Sequence, residues 1–119
     1  MQSTSIHSET AEVNFFEFVG DTLTMSFKYI SPSGVLIDLT GWIVAIELRK
    51  AIEDANPILM LDSVNGGVQL GGVHNIAITL SSAQTATLGV GGFYYFIRTT
   101  DTVGIVNTLI VGKIILRHP

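Results

Sequence analysis

Three histidines, a scatter of carboxylates and no cysteine are the groups from which this 119-residue chain could build a reactive centre. His7, His74 and His118 stand far apart in sequence, with no H-x-x-x-H or H-x-H spacing to aim two imidazoles at one metal ion. They read as surface residues. The lack of cysteine removes thiolate chemistry and disulfides together. Serine and threonine are plentiful, but no G-x-S-x-G turn would raise one as a nucleophile. Glu47 and Asp62 are the carboxylates that a glycosidase-like acid/base pair would need, and nothing in the sequence brings them together. Gly66-Gly67 and Gly71-Gly72 do not follow the G-x-x-x-x-G-K-[ST] pattern of a phosphate cradle; hairpin glycines explain them better. Asp21, Asp38 and Asp101 could serve a surface Ca²⁺ site, but they form no D-x-D-x-D run and suit turn-capping. The reading is therefore a protein that is not an enzyme, with no catalytic residue, no cofactor and no metal site.

Charge excludes two further classes. The formal net charge is −4, and the six Lys and Arg residues are scattered singly apart from Arg49-Lys50. A nucleic-acid partner would call for a clustered basic stripe, so none is expected. From Ser63 to Ile97 there is no Asp, Glu, Lys or Arg, yet glycines and polar residues interrupt the segment throughout. A membrane-spanning helix needs about 20 mostly apolar residues in a row, so no membrane partner is expected. The N-terminus lacks the basic and apolar regions of a signal peptide. Hydrophobic residues make up 47% of the chain and charged residues 13%, which favours a folded domain that buries part of its surface in an assembly. A chain without cysteine is compatible with assembly in a reducing cytoplasm.

The elements that position these groups are strands. Residues 1–12 are small and polar and read as a flexible N-terminal arm; residues 13–119 read as one β-sandwich domain. Leu23, Met25, Phe27 and Tyr29 alternate with Thr22, Thr24, Ser26 and Lys28, the period of a half-buried strand. Ser31-Pro32-Ser33-Gly34 has the residues of a type I turn, Val35–Ile37 is a short strand candidate, and Trp42, Val44, Ile46 and Leu48 share one face of the next strand. Asn65-Gly66 signals a hairpin between Ile58–Val64 and Gly67–Leu70. Ile76, Ile78 and Leu80 alternate again. Ser81 and Gln84 form a capping box for one helical turn near 81–88, stopped by Gly89. Gly112 interrupts a long last strand and suggests a bulge or a bend between sheets. About eight strands at intervals near ten residues favour an antiparallel sandwich or barrel. Phe27, Trp42, Ile46, Ile78 and Leu109 are the expected core.

Phe93-Tyr94-Tyr95-Phe96 is the ambiguous element. Alternation puts Phe93 and Tyr95 on one face, Tyr94 and Phe96 on the other. The outer pair needs cover, either from the helical turn or a loop, or from a neighbouring subunit. The arm could add backbone hydrogen bonds to an open sheet edge of a neighbour. Gln2, Thr4, Ile6, His7, Tyr94 and Phe96 are accordingly the candidate interface residues.

The order of motifs resembles a known family. Val19-Gly20-Asp21-Thr22 opens a strand, Asp38-Leu39-Thr40-Gly41 forms a turn, and Thr108-Leu109-Ile110-Val111-Gly112 lies in the last strand. Over roughly residues 15–117 this is similar to the small immunoglobulin-like domains of tailed-bacteriophage virion proteins, of the baseplate and tail-fibre attachment type. The resemblance implies an all-β, antiparallel immunoglobulin-like sandwich of about 7–9 strands. It also implies a structural role in a virion, as a tail, baseplate or fibre-attachment adaptor assembled in the host bacterial cytoplasm. Its partners would be other virion proteins, in a homo-oligomer or a larger assembly. Related domains often carry an acidic residue where this chain has Phe96, and many continue into a further region where this chain stops at Pro119. A capsid decoration or head–tail connector protein is the alternative within the class. A carbohydrate-binding module using Trp42 or Tyr94 is the alternative outside it.

Overall fold

The computed structural model describes residues 2–6, 11–72 and 75–119. The alternation seen in the sequence becomes ten strands among these residues: β1 (Gln2–Ile6), β2 (Ala11–Glu12), β3 (Phe15–Phe18), β4 (Leu23–Tyr29), β5 (Ile43–Arg49), β6 (Leu59–Asp62), β7 (Val68–Leu70), β8 (Ile76–Leu80), β9 (Gly91–Thr100) and β10 (Val106–Arg117). One short helix, α1 (Ser82–Leu88), joins β8 to β9. Two sheets form. One has the order β1-β4-β8-β7. The other has β2-β10-β9-β5-β6, with β3 also alongside β10. Strands β4, β8 and β7 thus stand as B, E and D of an immunoglobulin sandwich, and β10, β9, β5 and β6 as G, F, C and C′. The fold is an all-β sandwich. Eight of its strands lie from Phe15 onward; the other two come from the segment expected to be an arm.

The core is the inner face of both sheets. Leu23, Met25, Phe27 and Tyr29 of β4 are buried, as are Val44, Ile46 and Leu48 of β5, Ile76, Ile78 and Leu80 of β8, and Phe93, Tyr95 and Ile97 of β9. Phe15 meets Phe27 edge-on, centroids 5.7 Å apart, across the two sheets, a favoured aromatic geometry. Of the expected core residues, Phe27, Ile46, Ile78 and Leu109 are buried. Trp42 is not: it precedes β5 and is half-buried, its ring meeting Tyr29 edge-on at 6.3 Å. It still packs against the core, but from outside the strand, where its ring is only partly covered.

Helix α1 follows its sequence signal. Gln84 N donates to the Ser81 hydroxyl at 3.1 Å, Ser81 N donates to Gln84 Oε1 at 2.8 Å, and the Gly89 N–H closes the helix on the Thr85 carbonyl.

Four local expectations change. Val35–Ile37 forms no strand; a single bridge joins Ile30 to Leu36. Asn65-Gly66 makes a turn, but β6 and β7 belong to different sheets, so the chain crosses the sandwich there instead of closing a hairpin. The irregularity in β10 lies between Thr108 and Ile110, not at Gly112. Gly112 serves close approach: a Cβ there would stand 1.8 Å from the Val13 carbonyl oxygen. Finally, pairing is antiparallel except where the N-terminal segments join. Strand β1 runs parallel to β4, and β2 and β3 run parallel to β10. Strand pairing requires only backbone groups, so a segment poor in apolar side chains can still extend a sheet.

Candidate interaction surfaces

The expected interface residues fall at two places. Gln2, Thr4 and Ile6 occupy register positions opposite Met25, Phe27 and Tyr29 on the edge of the β4 sheet. His7 lies outside the described residues. Tyr94 and Phe96 project from the outer face of the other sheet, far from β1 in the strand order, and both are half-buried. The structure therefore does not bring the five described residues together.

Within the chain, the outer aromatic pair is flanked by cations on adjacent strands and by the β5–β6 loop, not by α1. Tyr94 stands opposite Arg49 and Lys113 in register, and Phe96 opposite Glu47 and Val111. The Lys113 ammonium lies 5.1 Å from the Tyr94 ring centre, and the Arg49 guanidinium 5.8 Å from that of Phe96, within cation–π range. Glu47 sits between Arg49 at 3.6 Å and Arg98 at 3.5 Å. The Arg49 guanidinium also donates to the Asp54 carbonyl, which draws the β5–β6 loop over the sheet. Ile52 of that loop joins Tyr94, Phe96, Val111 and Lys113 around a shallow cleft of about 210 Å³. The face is a laced aromatic and cationic surface.

A second surface was not singled out by the sequence. Val35, Leu36, Ile43, Val103, Ile105 and Val106 are all exposed, Val103 by 78%. Ile43 and Val106 both stand opposite Thr100, and a Cβ on Gly41 would touch the Thr102 methyl at 3.1 Å. The β4–β5 and β9–β10 loops thus build one apolar end to the sandwich. A third surface is the edge strand β3, where Phe16 and Phe18 pair edge-on at 5.3 Å and Arg117 lies 4.7 Å from the Phe16 ring.

Two of the carboxylates considered for chemistry, Asp62 and Asp101, are engaged in capping their own turns. Asp62 accepts from Val64 N, Asn65 N and Asn65 Nδ2. The Asn65 backbone N–H is the main reason its carboxyl is held below the usual carboxylate range. Asp101 accepts from Val103 N and Ile105 N across the β9–β10 turn. Among the described residues no three His, Asp or Glu side chains stand together where they could hold a metal ion. Tyr95 is a fully buried tyrosine, and desolvation pushes its pKa up; it donates to the Val13 carbonyl.

Two buried polar residues position these surfaces, and sequence reasoning did not mark them. Asn75 Oδ1 accepts from Tyr29 N at 2.7 Å, while its Nδ2 donates to the Tyr29 and Ile37 carbonyls at 2.9 Å each. This amide ties the start of β8 to the end of β4 and to the β4–β5 loop. Thr85 accepts from Gly20 N and donates to the Asp21 carbonyl, joining α1 to the β3–β4 corner.

No family model matches the chain, and no curated protein matches it. Among solved structures, the N-terminal domain of phage TP901-1 ORF48 superposes with a TM-score of 0.55 at 12% identity, covering 98% of this chain and 99% of that one. The chain shares its fold with that phage domain. Murine CRIg matches more loosely, with a TM-score of 0.42 at 9% identity over 89% of this chain and 92% of that one.

Proposed function

We propose that this chain is a structural protein of a tailed-phage particle, not an enzyme, and that it works in the tail as a baseplate or fibre-attachment adaptor. The observation that carries this reading is the end-to-end likeness to the phage TP901-1 ORF48 domain. It is an argument by analogy of fold, joined by the virion-type motif order along residues 15–117. The chemistry of the surface supports it. A chain with 13% charged residues that exposes an apolar end and an aromatic edge pair gains by burying them against neighbours.

In this reading the sandwich is a rigid frame and assembly is the activity. The partners are other virion proteins or further copies of the chain, and the location is the virion. Mass spectrometry of purified particles, followed by electron microscopy of particles labelled with an antibody to this chain, tests it. Density at the tail supports the adaptor. Density on the head favours the decoration or connector alternative. Absence of the chain from purified particles overturns the proposal.

A further inference from the structure

At the end of the sandwich where the β4–β5 loop meets Leu70, Gly71 and Gly72 at the end of β7, a cleft of about 410 Å³ opens. That is within the range of small-ligand pockets, about 300–1,000 Å³. Its lining includes Leu36, Asp38, Thr40, Trp42, Gly72 and Asn75. None of these belongs to the outer aromatic face described above.

The cleft is a built feature. Its base is fixed by Asn75, whose amide is committed to Tyr29 and Ile37. The half-buried Trp42 ring rests on Tyr29 at an interplanar angle of 74°. Asp38 Oδ1 accepts both from Thr40 N at 3.0 Å and from the Thr40 hydroxyl at 2.6 Å. Its Oδ2 takes no hydrogen bond among the described residues. The two Thr40 bonds hold this carboxyl below the usual carboxylate range, the hydroxyl contributing most. It is thus an acceptor with a free oxygen, oriented by its own loop, lining the same cleft as the Trp42 indole.

That pairing suits one kind of ligand. A ring with an apolar C–H face and outward hydroxyls can stack on an indole while donating to a carboxylate; an anion would be repelled by Asp38. We propose that this cleft binds a pyranose unit of a neutral glycan, with its C–H face on Trp42 and a pair of hydroxyls toward Asp38 and Thr40.

The chain contains a single tryptophan, so its fluorescence reports on this cleft alone. The full chain is titrated with glucose, galactose, rhamnose and N-acetylglucosamine, and with choline as a cationic probe. The proposal expects a saturable change with at least one sugar, at a Kd of about 1 mM, the weak end of specific binding. Asp38→Asn keeps the shape of an exposed side chain and should weaken that sugar by about tenfold, as loss of a charge-assisted hydrogen bond does. Its urea midpoint should show that the domain is still folded. No saturable response to any sugar, a response to choline alone, or unchanged sugar affinity in folded Asp38→Asn overturns the proposal.

Discussion

Gly112 and Val13 approach so closely that a side chain at position 112 and the Val13 carbonyl cannot share the space between them. The contact sits where β2 ends and β3 has not begun. Val13 N donates to the Val111 carbonyl at 3.0 Å, but the next ladder position is filled by a side chain: Lys113 N donates to Asn14 Oδ1 at 2.9 Å. The Val13 carbonyl turns instead to the Tyr95 hydroxyl. One missing Cβ thus lets the first segment follow β10 from β2 into β3 without stranding a part-buried carbonyl.

Gly112→Ala should therefore destabilise the domain. The added carbon meets backbone, which cannot rotate aside, so the expected cost is at or above the usual overpacking range of about 1–3 kcal/mol. Urea unfolding of the variant measures it. An unchanged midpoint would show that the Val13 segment shifts freely.

Tyr95→Phe tests the other half of the contact. The ring keeps its place in the core, while the Val13 carbonyl loses its donor. Leaving one such group unsatisfied costs about 1–3 kcal/mol. The two substitutions act on one carbonyl, so their effects should not add in a double-mutant cycle.

Asn75→Ala should cost more than its size suggests. The lost carboxamide volume matters less than the Tyr29 N–H left without an acceptor, a penalty of roughly 1–3 kcal/mol on its own. Asn75→Asp tests the direction of the bonds, because it replaces two donors with acceptors facing the Tyr29 and Ile37 carbonyls. Thermal denaturation should rank Asn75→Asp below Asn75→Ala. The reverse order would mean that the amide does not hold β4 to β8.

Acid should loosen the turn at which the chain changes sheets. The Asp62 carboxyl is held below the usual carboxylate range in the folded chain, chiefly by the Asn65 backbone N–H. A depressed carboxyl contributes stability that is fully present above the unfolded value and is lost as pH falls through the folded one. The melting temperature should therefore fall below about pH 4, the unperturbed range for Asp. Asp62→Asn should flatten part of that fall. An identical pH profile in the variant would remove Asp62 from the account.

Truncating Phe27 and Trp42 should separate the core from its rim. Phe27 is fully buried, and Phe27→Ala should cost about 3–5 kcal/mol. Trp42 is half-buried outside β5, so Trp42→Ala should cost clearly less. Equal costs by chemical denaturation would show that Trp42 is as much a part of the core as Phe27.

What the sequence determined alone is what depends on near neighbours. Leu23, Met25, Phe27 and Tyr29 fall on one face because side chains alternate along any extended backbone, and β4 buries all four. Ser81 and Gln84 cap α1 because the two groups that bond are three residues apart. The division of Phe93–Phe96 into inner and outer pairs follows from the same alternation. What only the tertiary structure decided joins distant parts of the chain. Asn65-Gly66 makes its turn locally, but whether that turn closes a hairpin or crosses between sheets depends on which partners β6 and β7 find, and these are β5 and β8. Gly112 looks like a bulge until Val13 arrives from 99 residues earlier in the numbering, as Asn14 does for Lys113. Asn75 is one polar residue among many until Tyr29, 46 positions away, presents both of its backbone groups to that amide. Local periodicity decides which way a side chain points; only the closed sandwich decides what it points at.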